Sequence, residues 1–129
     1  MLFAHGARDA RWAEPFEAVA SRVRYAAPAL AVELGYLELM KPDLIEAGAR
    51  LAAAGCVQVD IVPLFLGTGG HLRRDLPAGA AALRAAHPQV RWCVGSAIGE
   101  VEAVIEAMAA AALAMASTET SGDATDAGR

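Results

Sequence analysis

The feature that most constrains this chain is an apolar run, Val59 to Leu66, that leads directly into a glycine-rich turn. A run this rich in Val, Ile and Leu is typical of a strand buried on both faces, as in a parallel sheet. The turn, Gly67 to Gly70, is expected to need glycine because the backbone turns sharply where a Cβ would clash. His71 follows at once. It is therefore predicted to lie past the carboxyl end of a central strand, where open α/β sheets bind ligands.

The rest of the chain alternates strands with helices. Strands are predicted over residues 1–4, 31–37, 59–66 and 90–94. Each precedes a predicted helix, beginning near Ala13, at Pro42, near Pro77 and near Glu100. This alternation predicts an α/β fold with a four-stranded parallel sheet and helices on both faces. We expect the flavodoxin-like strand order 2-1-3-4, with the switch point between the first and third strands.

Length and composition predict one domain over residues 1–116 and a disordered tail over residues 117–129, which are small and polar. The net charge of −4 argues against nucleic-acid binding. No apolar run reaches the roughly 20 residues of a membrane helix, and a signal peptide is not expected because the chain enters its first predicted strand at once. Two isolated cysteines, Cys56 and Cys93, are expected to be buried thiols in a reducing cytoplasm.

Two histidines and a glutamate follow the first three strands. They are His5, Glu38 and His71, and the expected strand order brings their loops to one edge of the sheet. Imidazole and carboxylate ligands suit cobalt, iron, nickel or zinc. Imidazole must be neutral to bind a metal, so affinity is expected to fall in mild acid. Each residue could instead only cap its loop, but two histidines beside glycine at adjacent strand ends favour a metal site.

Three arginines, Arg8, Arg73 and Arg74, lie on the two histidine loops. Guanidinium groups there could hold carboxylates through two hydrogen bonds. The alternative is a surface ion pair with Asp9 or Asp75. The glycine turn lacks the lysine and hydroxyl residue of a phosphate-binding P-loop and the third glycine of a dinucleotide fingerprint, so a nucleotide is not expected.

Three blocks carrying these residues resemble the sirohydrochlorin cobaltochelatases and ferrochelatases, which are ATP-independent class II tetrapyrrole chelatases. The blocks are Ala4–Asp9, Leu37–Leu39 and Val62–Asp75. The resemblance covers about residues 1–110 and implies a chelatase-like lobe. It implies insertion of Co²⁺ or Fe²⁺ into sirohydrochlorin, towards cobalamin or sirohaem, without a nucleotide.

The resemblance also implies roles for individual residues. His5 and His71 would be the catalytic, metal-binding pair, with Glu38 assisting them. Substrate contacts are expected from Arg8, Arg73, Gly69 and Gly70. Nickel insertion and a non-catalytic metal- or tetrapyrrole-binding protein are the alternatives. The chain departs from the family at two points. Ala7 stands in place of a hydroxyl residue, so one hydrogen bond beside the site is expected to be missing, and the first strand, from Met1, is shorter than usual.

A homodimer is expected because one lobe cannot enclose a large flat macrocycle, and larger members of the resembling family carry two lobes. The last helix offers a candidate surface. Its core-facing stripe is predicted to be Val101, Val104, Ile105, Met108 and Ala112. The uncharged remainder of its second half is the expected interface, namely Ala109, Ala110, Ala111, Leu113, Ala114 and Met115.

Overall fold

A computed structural model describes residues 1–120, with side chains up to residue 117. The strands are β1 Leu2–Ala4, β2 Leu34–Tyr36, β3 Gln58–Pro63 and β4 Arg91–Val94. The α-helices are α1 Glu14–Ala26, α2 Leu44–Ala53, α3 Gly70–Ala86 and α4 Glu102–Thr120. Short 3₁₀ turns at Ala10–Ala13 and Ile98–Glu100 precede α1 and α4. The strands form one parallel sheet in the order β2-β1-β3-β4, so the predicted class and order are confirmed.

The sheet separates two apolar clusters. On one face, α2 and α3 pack over Phe3, Ile61 and Trp92, which are almost fully buried. On the other face, α1 covers Leu2 and Leu34, at the side of the sheet formed by β1 and β2. Helices therefore lie on both faces, as expected, but among the helices of residues 1–120 only α1 joins the core of the second face.

Helix α3 begins seven residues earlier than predicted, at Gly70 rather than near Pro77. Proline suits the first turn of a helix, which led to the wrong start. The better signal is the buried stripe on one side of α3, formed by Leu72, Leu76, Ala80 and Leu83. Burial of three leucines is worth roughly 1.5–3 kcal/mol each, which outweighs the one hydrogen bond that Pro77 cannot donate. His71 and Arg73 therefore lie in the first turn of a helix.

Strand β3 is not buried on both faces. Val59, Ile61 and Pro63 are buried, whereas Gln58 and Asp60 are exposed. Buried and exposed residues alternate along β3 because none of the helices within residues 1–120 packs over the β3–β4 half of the sheet's second face. Cys56 and Cys93 are half-buried rather than buried, so that expectation was wrong.

Helix α4 is the reason that this face is open. Its predicted core stripe is not core, because Val101, Ile105 and Met108 are 42%, 43% and 40% exposed. The helix continues to Thr120, so the boundary predicted at residue 116 falls inside it. The rest of the predicted tail, residues 121–129, lies outside the described residues. No helix within residues 1–120 is long and apolar enough to cross a membrane.

Helix α2 begins at Leu44, and Pro42 precedes its cap rather than opening it. The Asp43 carboxylate accepts a hydrogen bond from the backbone N–H of Glu46 at 2.9 Å. The Glu46 carboxylate in turn accepts from the backbone N–H of Asp43 at 3.2 Å. This capping box satisfies two backbone donors that a helix otherwise leaves unpaired.

We predict that Asp43→Ala lowers the free energy of unfolding by about 1 kcal/mol at neutral pH, as measured by urea denaturation. Asp43→Asn keeps an oxygen acceptor and should lose clearly less. The Glu46 backbone hydrogen bond lowers the pKa of Asp43, so the ionised cap stabilises the fold above the usual pKa. That contribution is lost as the pH falls through the lower, folded-state pKa. A difference between the parent and Asp43→Asn that persists at the acid limit would contradict this account.

Candidate active site

The pairing of β1 with β2 brings His5 and Glu38 together. The two strands remain hydrogen-bonded past their ends, since the N–H of Leu37 donates to the carbonyl of Ala4 at 2.9 Å. The N–H of Glu38 then donates to the carbonyl of His5 at 3.0 Å. Their side chains meet, with His5 Nε2 and Glu38 Oε1 2.9 Å apart. The two side chains are 53% and 56% exposed, so the pair is open to a ligand.

A carboxylate at Nε2 determines what the His5 ring can do. Glu38 accepts a hydrogen bond from Nε2–H when the ring is neutral, which leaves the lone pair on Nδ1. Histidines that bind metals commonly donate their second N–H to a carboxylate, which orients the ring and raises its basicity. His5 is therefore arranged to bind a metal or accept a proton through Nδ1, with Glu38 holding the ring.

The backbone around this pair adopts two left-handed conformations. Gly6 has φ +90°, and a Cβ added there would overlap the carbonyl oxygen of Glu38. Glycine is required at this position both for the dihedral angle and for the close approach of the two loops. Leu39, which follows Glu38, has φ 64° without being glycine. Such a conformation costs about 1–2 kcal/mol, and strained residues of this kind cluster at functional sites.

The loop that carries Glu38 is anchored at its far end as well. The N–H of Tyr36 donates to the carbonyl of Pro42 at 2.9 Å, so the loop closes on itself. Lys41 Nζ contacts the carboxylates of Asp43 and Glu46 at 3.1 and 3.0 Å. These bonds tie the loop to the start of α2 and hold Leu39 in its strained conformation.

The loop after β3 packs beside His5 through an aromatic side chain. The ring of Phe65 lies 6.2 Å from that of His5 and 5.9 Å from that of Phe3, measured between ring centroids. His71 is exposed on the first turn of α3, at the end of the same loop. Within residues 1–117, however, no three His, Cys, Asp or Glu side chains form a group that could hold a metal. The structure thus joins His5 to Glu38 but not to His71, and the three-residue ligand set stays a prediction.

The predicted arginines are available for a ligand. In the described part of the chain, Arg8, Arg73 and Arg74 form no ion pair. Asp9, the alternative partner of Arg8, instead accepts from the backbone N–H of Arg11 at 2.9 Å and contacts its guanidinium at 3.2 Å. Those hydrogen bonds lower the pKa of Asp9.

A cleft of about 360 Å³ lies where β3 and β4 end. Arg73 lines it from the first turn of α3, and Thr68 from the glycine turn. Ser96, from the loop after β4, lines the opposite side. Arg84 and Glu100 also line the cleft, so it carries two guanidinium groups and one carboxylate.

The reason given for glycine in the turn after β3 was wrong. A Cβ added to Gly67, Gly69 or Gly70 would meet no atom within 4 Å, and none of the three has a positive φ. Folding does not require glycine there. The glycines instead leave open space above the backbone, which a flat ligand could occupy.

Two exposed leucines beside the site were not predicted. Leu39 is 59% exposed next to Glu38, and Leu66 is 71% exposed before the glycine turn. Together with Phe65 they give the carboxyl edge of the sheet an apolar component. Their only sequence signal was a large apolar residue adjoining a predicted site loop, which is common in any chain.

Comparison with known proteins identifies the family. The CbiX family model matches residues 1–114. The chain belongs to the CbiX family. A CbiX protein of cobalamin (vitamin B12) biosynthesis from Marinobacter aquaeolei VT8 superposes with a TM-score of 0.77 and 33% identity, covering 91% of this chain and 95% of that one. The resemblance inferred from the three sequence blocks is therefore confirmed.

Other relatives match over part of their length. SirB from Bacillus subtilis, solved with Fe³⁺, gives a TM-score of 0.72 at 25% identity and covers 82% of this chain but 42% of its own. The sirohydrochlorin cobaltochelatase of Saccharolobus solfataricus is 50% identical over 46 residues, 36% of each chain. That of Methanopyrus kandleri is 34% identical over 77 residues, 60% of this chain and 54% of its own. The matched segments thus span between a third and about half of these two curated relatives.

We predict that Gly6→Ala lowers the free energy of unfolding by more than about 1 kcal/mol, because alanine is strained at φ +90° and its Cβ meets Glu38. Gly67→Ala is the matched control and should unfold like the parent, because its Cβ would point into open space and Gly67 lies outside the helices and strands. Urea denaturation measures both. Equal stability of the two variants would contradict the packing described for Gly6.

Proposed function

We propose that this chain inserts a divalent metal ion, Co²⁺ or Fe²⁺, into sirohydrochlorin without using a nucleotide. The observation that carries the proposal is the exposed His5–Glu38 pair at the carboxyl edge of a CbiX-family sheet. Relatives in the family are named sirohydrochlorin cobaltochelatase, and a SirB sirohydrochlorin chelatase was solved in complex with cobalt.

Metal insertion replaces two pyrrole N–H protons of the macrocycle with one divalent cation. A base must therefore accept protons while nitrogen atoms replace water around the metal. His5 would bind the metal or accept a proton through Nδ1, and Glu38 orients its ring through Nε2. His71, on the neighbouring loop, would be the second metal-binding histidine. The two metal-binding groups would release the ion to the macrocycle as its protons leave.

The macrocycle would lie over the glycine turn. Gly69 and Gly70 leave space for its face, and the exposed Leu66 and Leu39 would contact its apolar surface. Its peripheral carboxylates would meet Arg8 and Arg73, neither of which has a competing ion pair among residues 1–117. Bidentate guanidinium–carboxylate bonds would then determine its orientation.

The ligand chemistry leaves the identity of the metal open, because imidazole and carboxylate bind cobalt, iron and nickel alike. SirB structures were solved with Fe³⁺ and with cobalt. We propose a cytoplasmic enzyme of cobalamin or sirohaem synthesis, whose partners are the tetrapyrrole and a second copy of itself.

The homodimer follows from the size of the substrate. This chain covers 42% and 45% of two SirB chains, which therefore have room for a second lobe of similar size. A single lobe would leave one face of the macrocycle in water, whereas ligand sites usually enclose most of their ligand. A second copy would supply the missing wall.

Mixing the purified protein with sirohydrochlorin and Co²⁺ should change the visible spectrum of the macrocycle with multiple turnovers. The same assay with Fe²⁺ and Ni²⁺ compares the metals. Binding without turnover for every metal would overturn the enzymatic proposal and favour a metal- or tetrapyrrole-binding protein.

We predict that His5→Ala and His71→Ala each lose most of the turnover, by about 10²-fold or more if a base is removed. Both side chains are exposed, so unfolding free energies should change by less than about 0.5 kcal/mol. His87→Ala, at the start of the loop before β4, is the matched control and should keep full activity. Full turnover by either site variant would show that the site is wrongly assigned.

Glu38→Gln should reduce turnover less than the histidine variants, because glutamine keeps the shape of the side chain and an oxygen acceptor for Nε2–H. Initial rates under identical conditions give the comparison. A loss as large as that of His5→Ala would instead make Glu38 a metal ligand or the base itself.

A further inference from the structure

Two side chains of different chemistry contact the His5 ring. The Glu38 carboxylate lies at Nε2, with 2.9 Å between Nε2 and Oε1. The ring of Phe65 lies beside the imidazole, with the two ring centroids 6.2 Å apart and the ring planes inclined at 36°. One hydrogen bond restricts the imidazole at one atom and still allows the plane of the ring to tilt. The aromatic contact is therefore needed to determine the direction of Nδ1.

Phe65 is anchored in the hydrophobic core. Its ring lies 5.9 Å from the ring of Phe3, measured between centroids. Phe3 has no exposed surface, and Phe65 is half-buried against the same core cluster. Close packing restricts such a ring to few orientations. The exposed imidazole of His5 thus contacts a side chain whose position is determined by the core.

Hydrogen bonds also hold the backbone around Phe65. The N–H of Leu64, the preceding residue, donates to the carbonyl of Phe3 at 2.7 Å. The carbonyl of Phe65 accepts from the N–H of Gly99 at 2.9 Å, which ties this loop to the 3₁₀ turn after β4. A Cβ added to Gly99 would overlap the backbone of Leu66. Glycine at position 99 therefore allows the turn to support the loop that carries Phe65.

A phenyl ring suits this position because it does not compete for the imidazole nitrogen. A polar side chain in the same place could hydrogen-bond to Nδ1 and occupy its lone pair, whereas the side chain of Phe65 has neither a donor nor an acceptor. An aliphatic side chain would also leave Nδ1 free. It is not flat, however, so it would restrict the plane of the imidazole less.

We propose that Phe65 is a positioning residue for His5, and that Gly99 supports it through the backbone. Glu38 keeps the proton on Nε2, and Phe65 keeps the plane of the ring, so that the Nδ1 lone pair has one direction before a ligand arrives. A group that is already ordered loses less conformational freedom when it binds. The consequence for metal transfer rests on the proposed function, whereas the order of the ring does not.

Carbon-13 relaxation of the ligand-free protein measures the order of the His5 ring directly. The order parameters of its Cδ2–H and Cε1–H bonds, assigned by comparison with His5→Ala, should be high in the parent. Phe65→Leu should lower both, because leucine fills part of the volume but has no ring. Phe16→Leu is the matched control and should change neither. Phe16 is also half-buried, and its ring pairs with that of Trp12 at 4.5 Å on the other face of the sheet.

Titration with Co²⁺ alone, followed by the visible absorption of the bound ion, measures the consequence for binding. Residues that orient a metal-binding histidine typically contribute roughly 10- to 100-fold to metal affinity. Phe65→Leu should therefore weaken Co²⁺ binding by about 10-fold or more. Phe16→Leu should leave the affinity unchanged.

Gly99→Ala tests the same contact without changing Phe65. Its Cβ should displace Leu66 and with it the ring of Phe65, so the His5 order parameters and the Co²⁺ affinity should fall, but by less than in Phe65→Leu. Gly95→Ala, also after β4, is the matched control, because its Cβ would meet the carbonyl oxygen of Ile61 at an ordinary 3.5 Å. Circular dichroism shows whether each variant is folded, and the glycine pair decides the proposal if Phe65→Leu does not fold.

Unchanged His5 order parameters in a folded Phe65→Leu variant would overturn the proposal. An equal fall in Phe16→Leu or Gly95→Ala would also overturn it, because the effect would then be a general loosening of the fold. Unchanged order parameters in Gly99→Ala would overturn the part assigned to Gly99. Neither measurement uses sirohydrochlorin. An ordered His5 ring that Phe65→Leu disorders, in a parent that binds no Co²⁺, would support the positioning and count against the proposed function.

Discussion

The hydrogen bond from the Glu38 N–H to the carbonyl of His5 carries the pairing of β1 and β2 beyond the last residues of both strands. Because the pairing is parallel, equivalent points of the two strands advance together towards one edge of the sheet. His5 and Glu38, separated by 33 positions in sequence, therefore place their side chains 2.9 Å apart. The site depends on β1, only three residues long, being held between β2 and β3.

The contact between His5 and Glu38 requires unusual backbone conformations in both loops. The two loops come so close that Gly6 can have no side chain, and the chain turns through a left-handed leucine after Glu38. The strain at Leu39, about 1–2 kcal/mol, is offset by bonds elsewhere in the loop, including the Tyr36–Pro42 hydrogen bond and the capping box of α2. A loop free to relax would separate the carboxylate from the imidazole, so the anchoring and the chemistry are parts of one arrangement.

Helices cover one face of the sheet closely and leave part of the other face open. Between the sheet and helices α2 and α3 the core is closed, and Phe3, Ile61 and Leu83 are almost fully buried. Beyond α1 the other face remains open, and the helix with the apolar stripe to close it extends away. The single chain therefore leaves the apolar surface of this half of the sheet uncovered.

Periodicity and turn chemistry were enough to predict the α/β class, the four parallel strands, their order and the loops that carry His5, Glu38 and His71. These properties depend on the alternation of apolar runs with glycine and proline, which is local information. Local reasoning was wrong for α3, where the burial of the leucine stripe outweighs Pro77, and for the glycine turn, where no Cβ would clash. It also assigned the α4 stripe to the core of its own chain.

The remaining features depend on distances between segments far apart in sequence. The overlap that makes Gly6 necessary, the contact of Phe65 with the His5 ring and the open half of the sheet all arise only when loops and helices pack. An apolar stripe indicates that a helix must be covered, but it does not indicate which surface covers it. That choice depends on how α4 leaves the sheet after the 3₁₀ turn, where Val101 is extended with φ −78° and ψ 126°.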